Sequence, residues 1–175
     1  GHMCIIKPMD DVVKFIHEVG SLKLTPRSGW LKLGIRLPES VAEHSFRAAI
    51  IAFILALKSG ESVEKACKAA TAALFHDLHE ARTMDLHKIA RRYVSCDEEG
   101  AREEQLSWME SKPDFSDVEV YVSDADKLEL AFQGVEYSQQ VSYAIRFAEN
   151  VELKTDAAKE IYRVLMERKN PVWWR

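Results

Sequence analysis

Glycine and proline are scarce in this chain: seven and five in 175 residues. So little punctuation leaves room for few tight turns and favours long helices over many short strands. The apolar residues agree. Val12, Val13, Phe15, Ile16 and Val19 fall at helical intervals in DDVVKFIHEV, which stops at Gly20. Ala48 to Leu57 (AAIIAFILAL) is a continuous apolar run, about half of the roughly 20 residues a membrane span requires. It reads as a core helix, and the chain as an all-α protein.

Boundary signals divide the sequence further. Ser40-Val-Ala-Glu43 is a capping box, and the helix it opens runs to about Lys58 before Ser59-Gly60. Ser62 starts a third helix, Val63 to about Arg82, and Leu86 to Val94 reads as a short one. Asp97 to Glu110 follows helical spacing through Leu106, Trp108 and Met109. Val118 to Tyr137 begins with strand-like β-branched residues, but its length and the spacing of Leu128, Ala131, Phe132 and Val135 favour a helix. Helices over Gln140–Asn150 and Asp156–Arg168 complete the pattern. No repeats or linkers interrupt it, so residues 4–175 read as a single compact bundle. The first three residues, GHM, resemble the remnant of a cleaved tag, which excludes His2 as a ligand.

At 47% hydrophobic and 30% charged, the composition is that of an ordinary soluble globular protein. A net charge of -4 argues against a nucleic-acid polymer as partner, since such binders carry basic stripes. A small phosphorylated ligand is compatible with it. Cys4, Cys67 and Cys96 are odd in number and widely spaced, as expected of reduced thiols in a cytoplasmic chain, with Cys67 in the core. No signal-like segment or membrane span is evident.

The chemistry concentrates where the third helix ends, in AALFHDLHEARTMD (Ala72 to Asp85). Ionised carboxylates at the end of a greasy stretch must reach water, pair with a cation or hold a metal. On a helix His76 and Glu80 share a face, Asp77 and Glu80 are one turn apart, and His79 faces away from Asp77. His44, on a capped and otherwise apolar helix, can supply a further ligand, and so can Asp124 or Asp126 in SDADKLEL, which spacing alone does not separate. Two histidines and two carboxylates suit Mn, Fe, Co, Ni or Zn better than Mg or Ca. The loop Lys23 to Pro38 adds Arg27 and Trp30; an arginine there is suited to gripping phosphate. His79 and His87 are extra imidazoles near the site, Lys88, Arg91 and Arg92 read as a solvated helix face, and His17 reads as a surface or half-buried histidine.

His44, His76-Asp77 and Asp126 together resemble the H…HD…D signature of the HD-domain metal-dependent phosphohydrolases, an all-α superfamily. Arg-Ser-Gly-Trp (Arg27 to Trp30), PESVAEHS (Pro38 to Ser45), HDLHE with Asp85 beyond it, and ADKLE followed by Glu136-Tyr137 are similar to its 5'-deoxynucleotidase branch. The resemblance selects Asp126 over Asp124. Some relatives join the Arg and Trp directly, whereas Ser28-Gly29 separates them here.

The resemblance implies hydrolysis of deoxyribonucleoside 5'-monophosphates to deoxynucleoside and phosphate, with one divalent transition metal. His44, His76, Asp77 and Asp126 would hold the ion, and Glu80 would act as general acid or base. Arg27 would hold phosphate, Trp30 would crowd the sugar 2'-position, and Asp85 would contact a sugar hydroxyl or the attacking water. A homodimer is a further implication, with Trp173 and Trp174 packing on the core or on a second subunit. Competing readings are a phosphodiesterase or nucleoside triphosphate hydrolase of the same superfamily, a nucleotide-binding regulatory module, and a structural helical protein.

Overall fold

The computed structural model describes residues 3–175, with side chains from residue 9 onward, so the expectations for His2 and Cys4 lie outside the described side chains. Its helices are α1 (Met3–Gly20), α2 (Val41–Lys58), α3 (Val63–His76), α4 (Glu80–Thr83), α5 (Glu98–Gln105), α6 (Glu119–Tyr137) and α7 (Asp156–Arg168), joined in part by short 3-10 turns. The fold is all-α: among the described residues the extended pairing is confined to an isolated bridge between Pro26 and Ser40. No described helix is long and apolar enough to cross a membrane. The chain forms two compact units. One comprises residues up to Glu43 with Asp77–Asp114, the other His44–His76 with Phe115–Arg175.

In the first unit α1 half-buries Val12, Phe15 and Val19, with Phe15 meeting Trp108 at 5.1 Å between ring centres. The loop after it is tied back on itself: Arg27 N donates to Glu39 O (2.9 Å) and Val41 N to Thr25 O (2.8 Å). The capping box forms as its sequence requires, with Ser40 N donating to Glu43 Oε1 and Glu43 N to Ser40 Oγ. Of the four basic side chains in this loop, Lys23, Lys32 and Arg36 are exposed and Arg27 turns inward.

The second unit is built on small residues. Ala66, Ala69 and Ala73 from α3 pack with Ala52, Leu55 and Ala56 from α2 and with Val122, Ala125 and Leu128 from α6. Alanines at this spacing let helix backbones approach closely. Cys67, one position round from Ala66, is therefore exposed and not in the core as expected. Gly134 serves the same purpose: a Cβ there would lie 3.0 Å from the Ala144 carbonyl oxygen. The segment pressed against it is a 3-10 helix, Ser142–Ala148, in place of the expected α-helix over Gln140–Asn150. Leu86–Val94 likewise contains only a 3-10 turn, Ala90–Arg92, and α5 ends at Gln105, before Trp108. Trp173 and Trp174 stack edge to face on each other and are exposed, so they do not join the core.

Asp124 anchors α7. Its fully buried carboxylate accepts from Lys154 N, from Thr155 N (2.8 Å) and from the Thr155 hydroxyl (2.7 Å), while that hydroxyl accepts from Ala158 N and caps the helix. Removing the carboxylate strands these donors in the interior. Asp124→Ala is therefore expected to destabilise the protein by roughly 3 kcal/mol, read by urea unfolding of the metal-free form.

Candidate active site

The expected third helix ends early. After His76 the chain tightens, with Glu80 N donating to Asp77 O (3.0 Å) and Ala81 N to Leu78 O (3.1 Å), before α4 resumes. These three-residue closures shift the helical phase. His79 is consequently buried, with Nε2 3.8 Å from Glu98 Oε2. His87 is spent on structure, since its Nδ1 accepts from Ala90 N, and Lys88, Arg91 and Arg92 are exposed. His17 is exposed as well.

The first unit gathers Arg27, Trp30, Asp77, Glu80 and Asp85. Thr83 ends α4, and Met84 follows with φ of +64°, a conformation that L side chains rarely adopt. That turn leads the chain into Asp85, whose Oδ2 accepts from Ser28 N (3.0 Å) while its carbonyl accepts from the Ser28 hydroxyl (2.6 Å). Asp85 is thereby tied to the loop that bears Arg27 and Trp30. Glu39 organises the other side of that loop: its Oε1 accepts from Trp30 Nε1 (3.3 Å) and lies 3.6 Å from Arg27 Nε. Trp30 is fully packed away.

Glu80 is buried among like charges. Burial, the nearby Asp77 and Asp85, and a hydrogen bond with Asp85 push its pKa up to about 9, against the opposing pull of Arg27. Its Oε2 is buried and has no hydrogen-bond partner among the described residues. Such a carboxyl holds a proton at neutral pH and can deliver it, the pattern of a general acid.

The second unit holds His44, His76 and Asp126. His44, 1% exposed, lies between two carboxylates: Nδ1 is 2.7 Å from Glu129 Oε1 and Nε2 is 2.8 Å from Asp126 Oδ1. A neutral imidazole has one N–H and can satisfy one of these. The ring must carry a second proton or give a lone pair to a cation. Two donor atoms about 3 Å apart are what a single ion binds along one edge of its coordination shell, each ligand being about 2.1 Å from the metal. The nitrogen and oxygen donors of this pair therefore fit a divalent ion. Asp124, the alternative to Asp126, is consumed by the α7 cap.

A model of the HD domain matches residues 19–165. The chain belongs to the HD-domain family. Within it, the chain is 30% identical over 147 residues to the 5'-deoxynucleotidase HDDC2 of Danio rerio, covering 75% of this chain and 72% of that protein. It is 29% identical to its counterpart from Dictyostelium discoideum, covering 75% and 80%. Among solved structures, the crystal structure of genomics APC5600 matches with a TM-score of 0.94 and 99% identity, over 95% of this chain and 99% of that one. The HD family binds divalent metals, and the chain falls in its 5'-deoxynucleotidase branch.

Glu39, Arg47 and Glu129 were assigned no role from sequence. The available signal for Arg47 is a lone arginine inside the apolar stripe of α2, three residues after His44.

The Glu80 shift fixes a pH dependence. In the unfolded chain this carboxyl titrates near 4.5, so between about pH 4.5 and about 9 the unfolded state has released a proton that the folded state keeps. Stability of the metal-free HD protein should fall as pH rises through that window. Glu80→Gln, uncharged throughout, should flatten the slope, as read from urea midpoints near pH 5 and pH 8.

Proposed function

We propose that the chain is a metal-dependent 5'-deoxynucleotidase, hydrolysing deoxyribonucleoside 5'-monophosphates to deoxynucleoside and phosphate. The observation that carries this reading is His44, buried with one nitrogen committed to Glu129 and the other aimed at Asp126. Membership of the HD family and the names of the relatives supply the reaction class.

In this reading His44, His76, Asp77 and Asp126 hold one divalent transition metal. When bound, such an ion acidifies water and neutralises phosphate charge. The remaining steps belong to the protein. Arg27, steadied by Glu39, takes the phosphate in a two-pronged grip. Glu80, kept protonated by its surroundings, protonates the departing 5'-oxygen. Asp85, fixed by Ser28, contacts a sugar hydroxyl or orients the attacking water. Trp30, buried and hydrogen-bonded to Glu39, backs the loop at the sugar 2'-position and through it disfavours ribonucleotides.

The reading extends to one catalytic domain over residues 4–175, acting on free nucleotides in the cytoplasm, and to a homodimer. Support for the dimer comes from α2, where Phe46, Ile50, Ile54 and Leu57 form an exposed apolar stripe.

The test is phosphate release from paired dAMP and AMP, and dCMP and CMP, after chelation and return of Mn, Co, Mg or Zn. Metal-dependent release favouring the deoxy member is expected. Equal release from both members removes the Trp30 role, and pyrophosphate or triphosphate released from nucleoside triphosphates would establish a different substrate class. Asp77→Ala should lose metal and activity together, whereas Glu80→Gln should keep metal and lose turnover by about 100-fold or more.

A further inference from the structure

Behind His44 lies a row of charges that the reaction does not call on directly. Glu129, 1% exposed on α6, accepts from Arg47 Nε through Oε2 while Oε1 faces His44 Nδ1. Arg47 then turns its two terminal nitrogens onto both oxygens of Glu136, at 2.7 Å each, adds Gln133 Oε1 at 3.2 Å, and rests over the Phe132 ring. Its guanidinium is fixed from several sides, and its orientation fixes Glu129 in turn.

Stability alone does not account for this arrangement. A buried ion pair gains little over apolar residues of the same volume, because the desolvation of each charge offsets their attraction. The row also extends to a group with two usable nitrogens, of which a metal needs a particular one. A carboxylate can accept a hydrogen bond and cannot donate one, so Glu129 demands the N–H at Nδ1 and leaves the lone pair on Nε2, beside Asp126.

We infer that Glu129, locked by Arg47 and Glu136, is a positioning residue that sets the tautomer and orientation of His44 and thereby tunes the protein's affinity for its divalent ion. The inference rests on the metal reading above. Arg47 matters through its fork: a lysine at that position could not hold Glu129 through one nitrogen and Glu136 through two others.

The test is titration of chelator-stripped protein with Mn2+ or Co2+ in a calorimeter, for the unaltered chain, Glu129→Gln, Glu129→Ala and Asp124→Ala, each also melted in the stripped state. Glu129→Ala should bind about 10–100-fold more weakly. Glu129→Gln keeps the shape and can still accept from Nδ1, but its amide can also donate and stabilise the wrong tautomer. It should show a smaller loss, with a melting temperature near that of the unaltered protein. Asp124→Ala, another buried α6 carboxylate with a purely structural task, should lose stability and keep affinity. Undiminished affinity in folded Glu129→Gln and Glu129→Ala would overturn the inference while leaving the metal reading intact. Absence of binding by the unaltered chain would overturn both.

Discussion

A buried imidazole between two carboxylates is the constraint from which the rest of the site follows. His44 cannot satisfy Glu129 and Asp126 as a neutral ring, and the buried Glu129 carboxylate cannot be abandoned in the interior without a cost of several kcal/mol. The second unit resolves this by making one side permanent and the other conditional. Glu129 is saturated by Arg47, whereas Asp126 lies at the more open end, with its side chain 39% exposed. The fixed side supplies direction, and the open side supplies a place for a positive charge.

The first unit uses the opposite strategy. Glu80 is crowded by carboxylates until ionising it becomes unfavourable, and the neighbouring Arg27 only partly offsets them. Repulsion is usually a liability, yet here it keeps an acid protonated in solutions where an exposed glutamate would long since have lost its proton. Glu39 and Ser28 steady the surrounding loop so that the crowding cannot relax by moving the groups apart.

Much of this was legible in the sequence, for local reasons. The capping box at Ser40 and Glu43 and the helical spacing of α1, α2, α6 and α7 are decided by residues within a few positions of one another. The turn at Asp77 to His79, the 3-10 segment over Gly134 and the exposure of Cys67 depend on what packs alongside, which helical periodicity does not encode. The service of Glu129 to His44 was hidden more deeply, because the two lie 85 positions apart and gain their meaning from contact. Even so, Glu129 and Glu136 both stood within the motif carrying the family resemblance. Their spacing of seven on one helix is what allows a single arginine to join them.

Asp124 and Asp126 are two positions apart on α6, about 200° around the helix axis, and so face different surroundings. One ties down the last helix and the other stands where an ion can be met. The contact with His44 and the anchoring of α7 are thus carried by separate aspartates, and substitution at Asp126 leaves the anchor of α7 in place. For evolution, that means the carboxylate beside His44 can be lost in a single codon change while the fold is kept.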